Sequence, residues 1–470
     1  MSALDVSIVN VAMPTLTRDF NVSITTIEWV AMAYMLTLTI FLPLFGRLAD
    51  MFGRTKLYTF GFGVFTIGSA ACGLAPSASL LIAARVLQAV GAGLLQANSV
   101  AIITQAFPAS ERGRAIGFQG AVQAIAMSVG PFVGGLLIAA VSWRAIFFVN
   151  LPIGVIGMTL AILILPKSER NPKKEGVDYL GVVTFALGLA GLVLALNMGG
   201  KLGWSSPRIL AYFIVAAVFL PTFILIELRA RFPMIDLKLF KSYAFAIGNL
   251  TGMLSYYVLF AVLFLMPFYL EQVLKVSVAM TGILLTPIPL AMAVVAPFAG
   301  GISDRYGSRI MTASGMLACA LSMLLLIFAG QNAQPLVLVV EFVVLGVGMG
   351  MFTPPNNSSI MGAAPREKLG VAGGVLNMMR SLGLILGVDI SGLIFTSIEN
   401  RRLAAHGYTL SSPGLPTQLR DQAFMAGLVV VLVVLLAVNL ISAVLSAARR
   451  DPAQGSAAIS SETGNKFVGE

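Results

Sequence analysis

Gly46-Arg47-Leu48-Ala49-Asp50-Met51-Phe52-Gly53-Arg54-Thr55-Lys56 lies between two long apolar runs without Lys or Arg. Two glycines permit a tight reversal and close helix contact. Asp50 can stabilise the N-terminus of the following helix, and Arg54 and Lys56 hold the turn on the positive side of a membrane. A degenerate copy stands at Gly300-Gly301-Ile302-Ser303-Asp304-Arg305-Tyr306-Gly307-Ser308-Arg309. Glycine, aspartate and glycine at 46, 50 and 53 recur at 300, 304 and 307, each displaced by 254 residues. One such loop says little, because any helical hairpin can carry Gly and Asp. Two copies at a constant offset predict a duplicated membrane fold.

Composition agrees. The chain has 470 residues, 58% hydrophobic and 11% charged. A soluble domain carries about a quarter charged residues, so most of this surface must face lipid. The net charge of +10 would point to nucleic acid in a soluble protein. Here the basic residues lie in short loops beside apolar runs, as topology signals. Cys72 and Cys319 both fall in apolar runs, which excludes a disulfide framework and argues against a metal site. The single histidine, His406, lies in a hydrophilic loop and argues against metal chemistry too.

A spanning helix needs roughly 20 apolar residues. Apolar runs between charged or Pro/Gly-rich breaks number fourteen: about 1–17, 27–46, 57–75, 79–106, 114–139, 146–166, 178–198, 208–228, 243–270, 278–300, 310–330, 335–360, 370–396 and 421–447. The expectation is an all-α polytopic protein in four parts: a six-helix bundle over 1–166, two additional helices with linkers over 167–242, a second six-helix bundle over 243–447, and a disordered tail over 448–470. The first span is short, and its brevity predicts either a start upstream of Met1 or a clipped helix; no basic lead-in marks a signal peptide. Pro287, Pro289, Pro297 and Pro354-Pro355 predict kinked or broken helices in the second bundle.

Lysine and arginine set the orientation. One side holds only Arg18, Arg144, Lys201, Arg208, Lys275, Arg401, Arg402 and Arg420, and Arg85 and Arg380 lie inside spans. The other 20 of the 30 basic residues share the side of the Gly46 loop. That side is read as cytoplasmic, with both termini on it and the chain in the cytoplasmic membrane.

Polar residues inside the spans are the candidate functional groups. Asp5 is the only acid in the middle portion of the first six spans. Arg85 lies about two turns below the outer surface, too deep to snorkel, and so needs a partner. Asp5 is about twelve residues deep and Arg85 about seven, a gap near 7 Å at 1.5 Å per residue, within reach of an arginine side chain. In the fifth span Gln119, Gln123, Gly130 and Gly134 share a stripe, and Pro131 bends the axis. In the thirteenth, Asn377 and Arg380 share a stripe, with Asp389 half a turn out of phase and read as pointing outward near the interface. Trp143 reads as an outer aromatic anchor. Roles for Glu28, Glu341 and Asp389 stay open.

Several motifs together resemble the major facilitator superfamily, and within it the fourteen-span drug:proton antiporters. The Gly46–Lys56 loop is similar to the signature between that superfamily's second and third helices. Leu4-Asp5-Val6-Ser7-Ile8-Val9-Asn10-Val11-Ala12-Met13-Pro14 resembles the first-helix motif of the fourteen-span group, and the run from Trp143 to Gly154 is similar to that group as well. Arg85-Val86-Leu87-Gln88-Ala89-Val90-Gly91-Ala92-Gly93 resembles the fourth-helix motif, whose arginine is tied to proton transfer. Gly130-Pro131-Phe132-Val133-Gly134-Gly135 resembles the antiporter motif of the exporters. Departures are Ala126 four residues before Gly130, Ser308 where Arg54 stands in the first copy, and a thirteenth span without the inward carboxylates of some multivalent-cation exporters.

The resemblance implies a major-facilitator fold of two six-helix bundles plus two inserted helices, and export of amphipathic organic compounds or drugs by alternating access. The proton gradient is the energy source, with no cofactor. Asp5 and Arg85 would pair when the proton is absent. Gly46, Asp50, Gly53 and Arg54, with Gly300, Asp304 and Gly307, would form a conformational latch, which in related transporters bridges helices in the outward-open state. Gly130, Pro131, Gly134 and Gly135 would form the antiporter motif, and Tyr34, Gln88, Gln123, Asn377 and Arg380 would offer polar contacts in a mostly apolar cavity. Partners expected are the bilayer, protons and a small amphipathic substrate, with no nucleic acid; the chain is expected to work as a monomer, and nothing in it calls for an adaptor protein. The alternative is an exporter of an endogenous metabolite, peptide or lipid precursor. An intramembrane enzyme is disfavoured, because scattered acids and one histidine form no nucleophile–base or metal constellation; kinked pseudo-repeats also fit alternating access better than a channel.

Overall fold

A computed structural model describes residues 1–22, 24–166, 176, 178–409, 412 and 414–449. The connection over 167–175 and the tail after Arg449 therefore lie outside the described residues. The helices run in the order α1 (Ser2–Phe20), α2 (Ile24–Phe52), α3 (Arg54–Leu74), α4 (Ala78–Ala106), α5 (Arg112–Ala140), α6 (Ala145–Phe148), α7 (Asn150–Ile164), α8 (Tyr179–Leu202) and α9 (Pro207–Arg229). There follow α10 (Tyr243–Phe268), α11 (Val278–Leu285), α12 (Pro287–Tyr306), α13 (Ser308–Ala329), α14 (Pro335–Gly362), α15 (Leu369–Ala404) and α16 (Thr417–Ala447).

Among the described residues twelve helices are long and apolar enough to cross a membrane. A thirteenth counts if the two parts of α5, bent by 41° between Met127 and Phe132, make one span. The remaining expected span corresponds to α1, a 19-residue helix that does not reach that apolarity. Hydropathy merged two further pairs. The sixth expected span is α6 and α7, and the tenth is α11 and α12, broken where Pro287 opens α12. Proline has no N–H to give and is at home in a first helical turn. Pro354 and Pro355 do not break their helix: α14 runs on through both.

The chain forms two compact units. Unit 1 comprises Met1–Ala106, Val122–Leu237 and Pro365–Ile385. Unit 2 comprises Phe107–Ala121, Lys238–Ala364 and the described residues from Leu386. These edges differ from the four-part division by sequence. The pair α8 and α9 packs with unit 1, while the first turns of α5 go with unit 2 and those of α15 with unit 1. The N-terminus of each of these two helices carries a side-chain cap from its own unit.

Within unit 1 the far end of α1 is anchored by aromatic packing. Trp143 is 1% exposed, lies edge-on to Phe20 with ring centroids 5.3 Å apart, and donates its Nε1–H to Asp19 Oδ2 at 2.7 Å. This corrects its reading as an interfacial anchor: the indole is core, and its polar tip is satisfied by a carboxylate instead of headgroups.

Candidate functional site

Two polar constellations stand out, and the first is the latch. In unit 1 Asp50, in the last turn of α2, accepts hydrogen bonds from the backbone N–H groups of Gly370 at 2.8 Å and Val371 at 2.9 Å. These are the second and third residues of α15. The first N–H groups of a helix have no intrahelical acceptor, and the helix dipole favours negative charge there. Arg54 grips Asp50 Oδ1 through Nε at 3.0 Å and Nη2 at 2.8 Å. It also donates to Gln105 Oε1 at 3.0 Å and to the carbonyl of Arg366 at 2.6 Å. A Cβ on Gly46 would fall on the Gly370 carbonyl oxygen, so this glycine is what lets α2 and α15 touch. Gly53 joins α2 to α3 at φ 101°, where only glycine sits without strain.

Unit 2 repeats the arrangement. Asp304 near the end of α12 accepts from Gly113 N–H at 2.8 Å and Arg114 N–H at 3.0 Å, the second and third residues of α5. A Cβ on Gly300 would strike the Gly113 carbonyl, and Gly307 joins α12 to α13 at φ 90°. Ser308 stands where Arg54 stands in the first copy, and the arginine set against this carboxylate is Arg112, the first residue of α5.

The second constellation lies inside unit 1. Asp5 is fully buried and Arg85 is 1% exposed, and Arg85 Nη1 meets Asp5 Oδ2 at 2.5 Å. Gln88, one turn along α4, accepts from Arg85 Nη1 at 2.7 Å and donates to Asp5 Oδ1 at 2.8 Å. Asn150, at the first turn of α7, donates to Asp5 Oδ1 at 3.2 Å and to Ser69 Oγ at 3.1 Å. Ser69 in turn donates to the Phe147 carbonyl at 2.9 Å. Arg85 does not depend on Asp5 alone. Its Nε donates to the Val30 carbonyl at 3.1 Å, and its guanidinium lies 4.0 Å from the centre of the Tyr34 ring, a cation–π contact. A carboxylate with an ion pair and two amide donors is a fully compensated buried charge.

The small-residue stripe of α5 bears on the same place. A Cβ on Gly130 would collide with Ser7 Oγ, and one on Gly134 would come within 2.7 Å of Ile8. These two glycines therefore let α5 lie against α1 within a turn of Asp5. Gly135 faces open space.

The expected cavity residues part company. Tyr34 and Gln88 are fully buried and belong to the shell of Arg85. Gln123 is half-buried on α5. Asn377 donates to the Gln96 carbonyl at 3.0 Å and the Gly373 carbonyl at 2.9 Å, and Arg380 Nη1 lies 3.4 Å from Asn377 Oδ1. Asp389 is half-buried in unit 2. Sequence reasoning missed Ser69, Gln105 and Asn150 as members of these sites. The signal for Asn150 was at hand: it is the one amide side chain in the Trp143–Gly154 run, and a polar group at membrane depth needs a partner.

The family description that matches is Major Facilitator Superfamily, over residues 1–388. The chain is 37% identical over 416 residues to the riboflavin transporter RibZ of Clostridioides difficile, covering 88% of this chain and 90% of that one. It is 34% identical over 407 residues to the multidrug resistance protein Stp of Mycobacterium tuberculosis, covering 86% and 75%, and 31% identical over 401 residues to the methylenomycin A resistance protein of Streptomyces coelicolor, covering 85% and 84%. Its fold is similar to the human organic anion transporter MFSD10, with a TM-score of 0.61 at 13% identity over 94% of this chain and 96% of that one. It is also similar to the proton:xylose symporter XylE, with a TM-score of 0.60 at 15% identity over 94% and 91%. An all-helical, multi-pass architecture, two copies of a capped hairpin and this match over most of its length make the chain a member of the major facilitator superfamily.

Proposed function

We propose that this protein is a proton-coupled antiporter that exports amphipathic organic compounds across the cytoplasmic membrane, with both termini in the cytoplasm. The observation that carries the reading is the fully buried Asp5–Arg85 pair. A proton arriving from outside cancels the Asp5 charge and removes the attraction to Arg85. Arg85 then keeps Val30, Gln88 and the Tyr34 ring, so α4 holds its place and α1 is the element set free to shift. Gly130 and Gly134, packed on Ser7 and Ile8, make α5 the first neighbour to register that shift.

The latch supplies the second half of the cycle. In the engaged state Asp50 ties α2 to the start of α15, and Asp304 ties α12 to the start of α5. Both ties sit on the side read as cytoplasmic, so their release is the step that lets substrate enter from within. Relatives named for resistance to drugs and to methylenomycin A support an organic, mostly apolar cargo.

A narrower reading, export of an endogenous metabolite, is favoured by the relative named as a riboflavin transporter. Dye efflux and riboflavin efflux measured side by side in proteoliposomes under an imposed pH gradient test both. Proton-driven efflux of several unrelated dyes supports the broad reading, and efflux of riboflavin alone the narrow one. If Asp5→Asn exports either at the wild-type, gradient-dependent rate, the coupling role fails.

A further inference from the structure

Glu341 lies in α14, six residues in from Pro335, or about 9 Å along the helix. It is fully buried, and among the described residues neither carboxylate oxygen has a hydrogen-bond partner. The repeat offset of 254 residues carries α2 onto α12 and α4 onto α14. It carries Arg85 to position 339, two residues from Glu341. The fourth helix of each half thus bears a buried ionisable side chain at nearly the same depth, yet only Arg85 is paired.

Among the described residues the surroundings of Glu341 hold no countercharge. Ser322 of α13 donates to its backbone carbonyl at 2.9 Å and leaves the carboxyl alone. Cys319, one turn away on α13, is directed to the Leu345 carbonyl. From α11 the side chain nearest in kind is Thr281, a buried hydroxyl without a partner among the described residues. The ionisable groups of α12 are Asp304, Arg305 and Tyr306 at its far end. On α10, Tyr256 stacks on Phe260, and Tyr257 faces Ser391. Among the described residues, the group that interacts electrostatically with Glu341 is Tyr269. It belongs to a single π-helical turn, Tyr269–Val273, and donates its hydroxyl to the Gly330 carbonyl at 2.6 Å. That bond fastens the turn to the loop that leads into α14. π-turns of this kind cluster at functional sites.

We infer that Glu341 is a second proton-binding site, in unit 2, loaded from the side opposite the Gly46 loop through a lid formed by Tyr269 on Gly330. An ionised carboxyl here would bear the full desolvation cost of an uncompensated charge, and a bound proton removes it. Opening of the lid admits water, which takes the proton from the carboxyl oxygen and leaves a hydrated carboxylate. Reclosure requires a proton back from that side. This inference deepens the antiport reading by giving the exporter a second exchangeable proton, and rests on that reading for its use in transport.

Infrared spectroscopy of the full-length protein in liposomes tests it without any substrate. The difference between wild type and Glu341→Gln should contain a protonated-carboxyl C=O band at acid pH that is lost at alkaline pH. In heavy water the band should shift as the proton exchanges. Tyr269→Phe, which removes about 1 kcal/mol of lid hydrogen bond, should speed the shift about fivefold. The inference is overturned if the band is missing at acid pH, if it persists at every pH, or if Tyr269→Phe leaves its exchange rate unchanged. Asp5→Asn separates the two readings. Intact proton-driven transport in that variant, with a titrating Glu341 band, sinks the Asp5 mechanism alone; lost transport without the band sinks only this inference.

Discussion

Asp50 and Asp304, 254 residues apart, accept hydrogen bonds from the same two positions of different helices, the second and third residues of α15 and of α5. The duplication is therefore one of hydrogen-bond geometry as well as of topology: each half carries a carboxylate on a glycine-flanked hairpin, aimed at a helix N-terminus. The two caps are unequal, since Arg54 braces only Asp50.

Asp50→Asn loses the charge, the Arg54 ion pair and one of the two backbone acceptors. Charge-assisted bonds of this kind are worth roughly 1.5–3 kcal/mol each, so transport in that variant is expected to fall at least about tenfold at matched expression. Asp304→Asn, in the cap where Ser308 replaces Arg54, should fall less. Initial efflux rates in vesicles check both, and equal losses would show that Arg54 contributes nothing.

Gly370→Ala gives a test with a definite sign. In an open helical position Gly→Ala stabilises by about 0.5–1 kcal/mol. Here the new Cβ would sit 2.5 Å from Asp50 Oδ1 and press on the Gly46 carbonyl. The expected result is a lower thermal midpoint of the purified protein, by an overpacking cost of about 1–3 kcal/mol; a raised midpoint means that α2 and α15 are not in contact there.

Asn150→Ala removes one donor from Asp5 and one from Ser69. Leaving such buried acceptors short costs about 1–3 kcal/mol, and the thermal midpoint should drop. Asn150→Asp should be worse, because it sets a second carboxylate against Asp5 Oδ1 in a buried site. An aspartate variant as stable as wild type would remove Asn150 from the network.

How much of this could be read beforehand depends on how far each residue's partner lies along the chain. The hairpin Gly46–Arg54 and its copy announce themselves, because glycine and charge stand out between apolar runs and recur at one offset. Asp5 and Arg85 could be brought together by depth alone, since each is a costly charge at similar depth with few others to meet; that they touch is geometry, and what the contact does is a separate matter. The acceptor role of Asp50 was legible, but the helix was wrong: the expected partner was the following helix, whereas Asp50 caps α15, whose donors are backbone N–H groups of Gly370 and Val371 and carry no side-chain signal. Hydropathy likewise could not see the break at Val149, since both sides are equally apolar, whereas the break at Pro287 was legible from the proline itself. Nor could it tell the buried indole of Trp143 from one at the lipid surface, because both environments favour the same residue. Glu341 shows the same limit: its place near the end of an apolar run was legible, its full burial and its lack of a hydrogen-bond partner among the described residues were not.

The central claim is that a proton gradient, acting through buried Asp5, drives export. Uphill efflux by the purified wild-type protein in proteoliposomes, with and without a protonophore, measures this most directly. The account predicts that uphill movement stops when the gradient collapses and that Asp5→Asn never shows it. Uphill efflux that continues after collapse, with no other ion gradient present, would contradict the account.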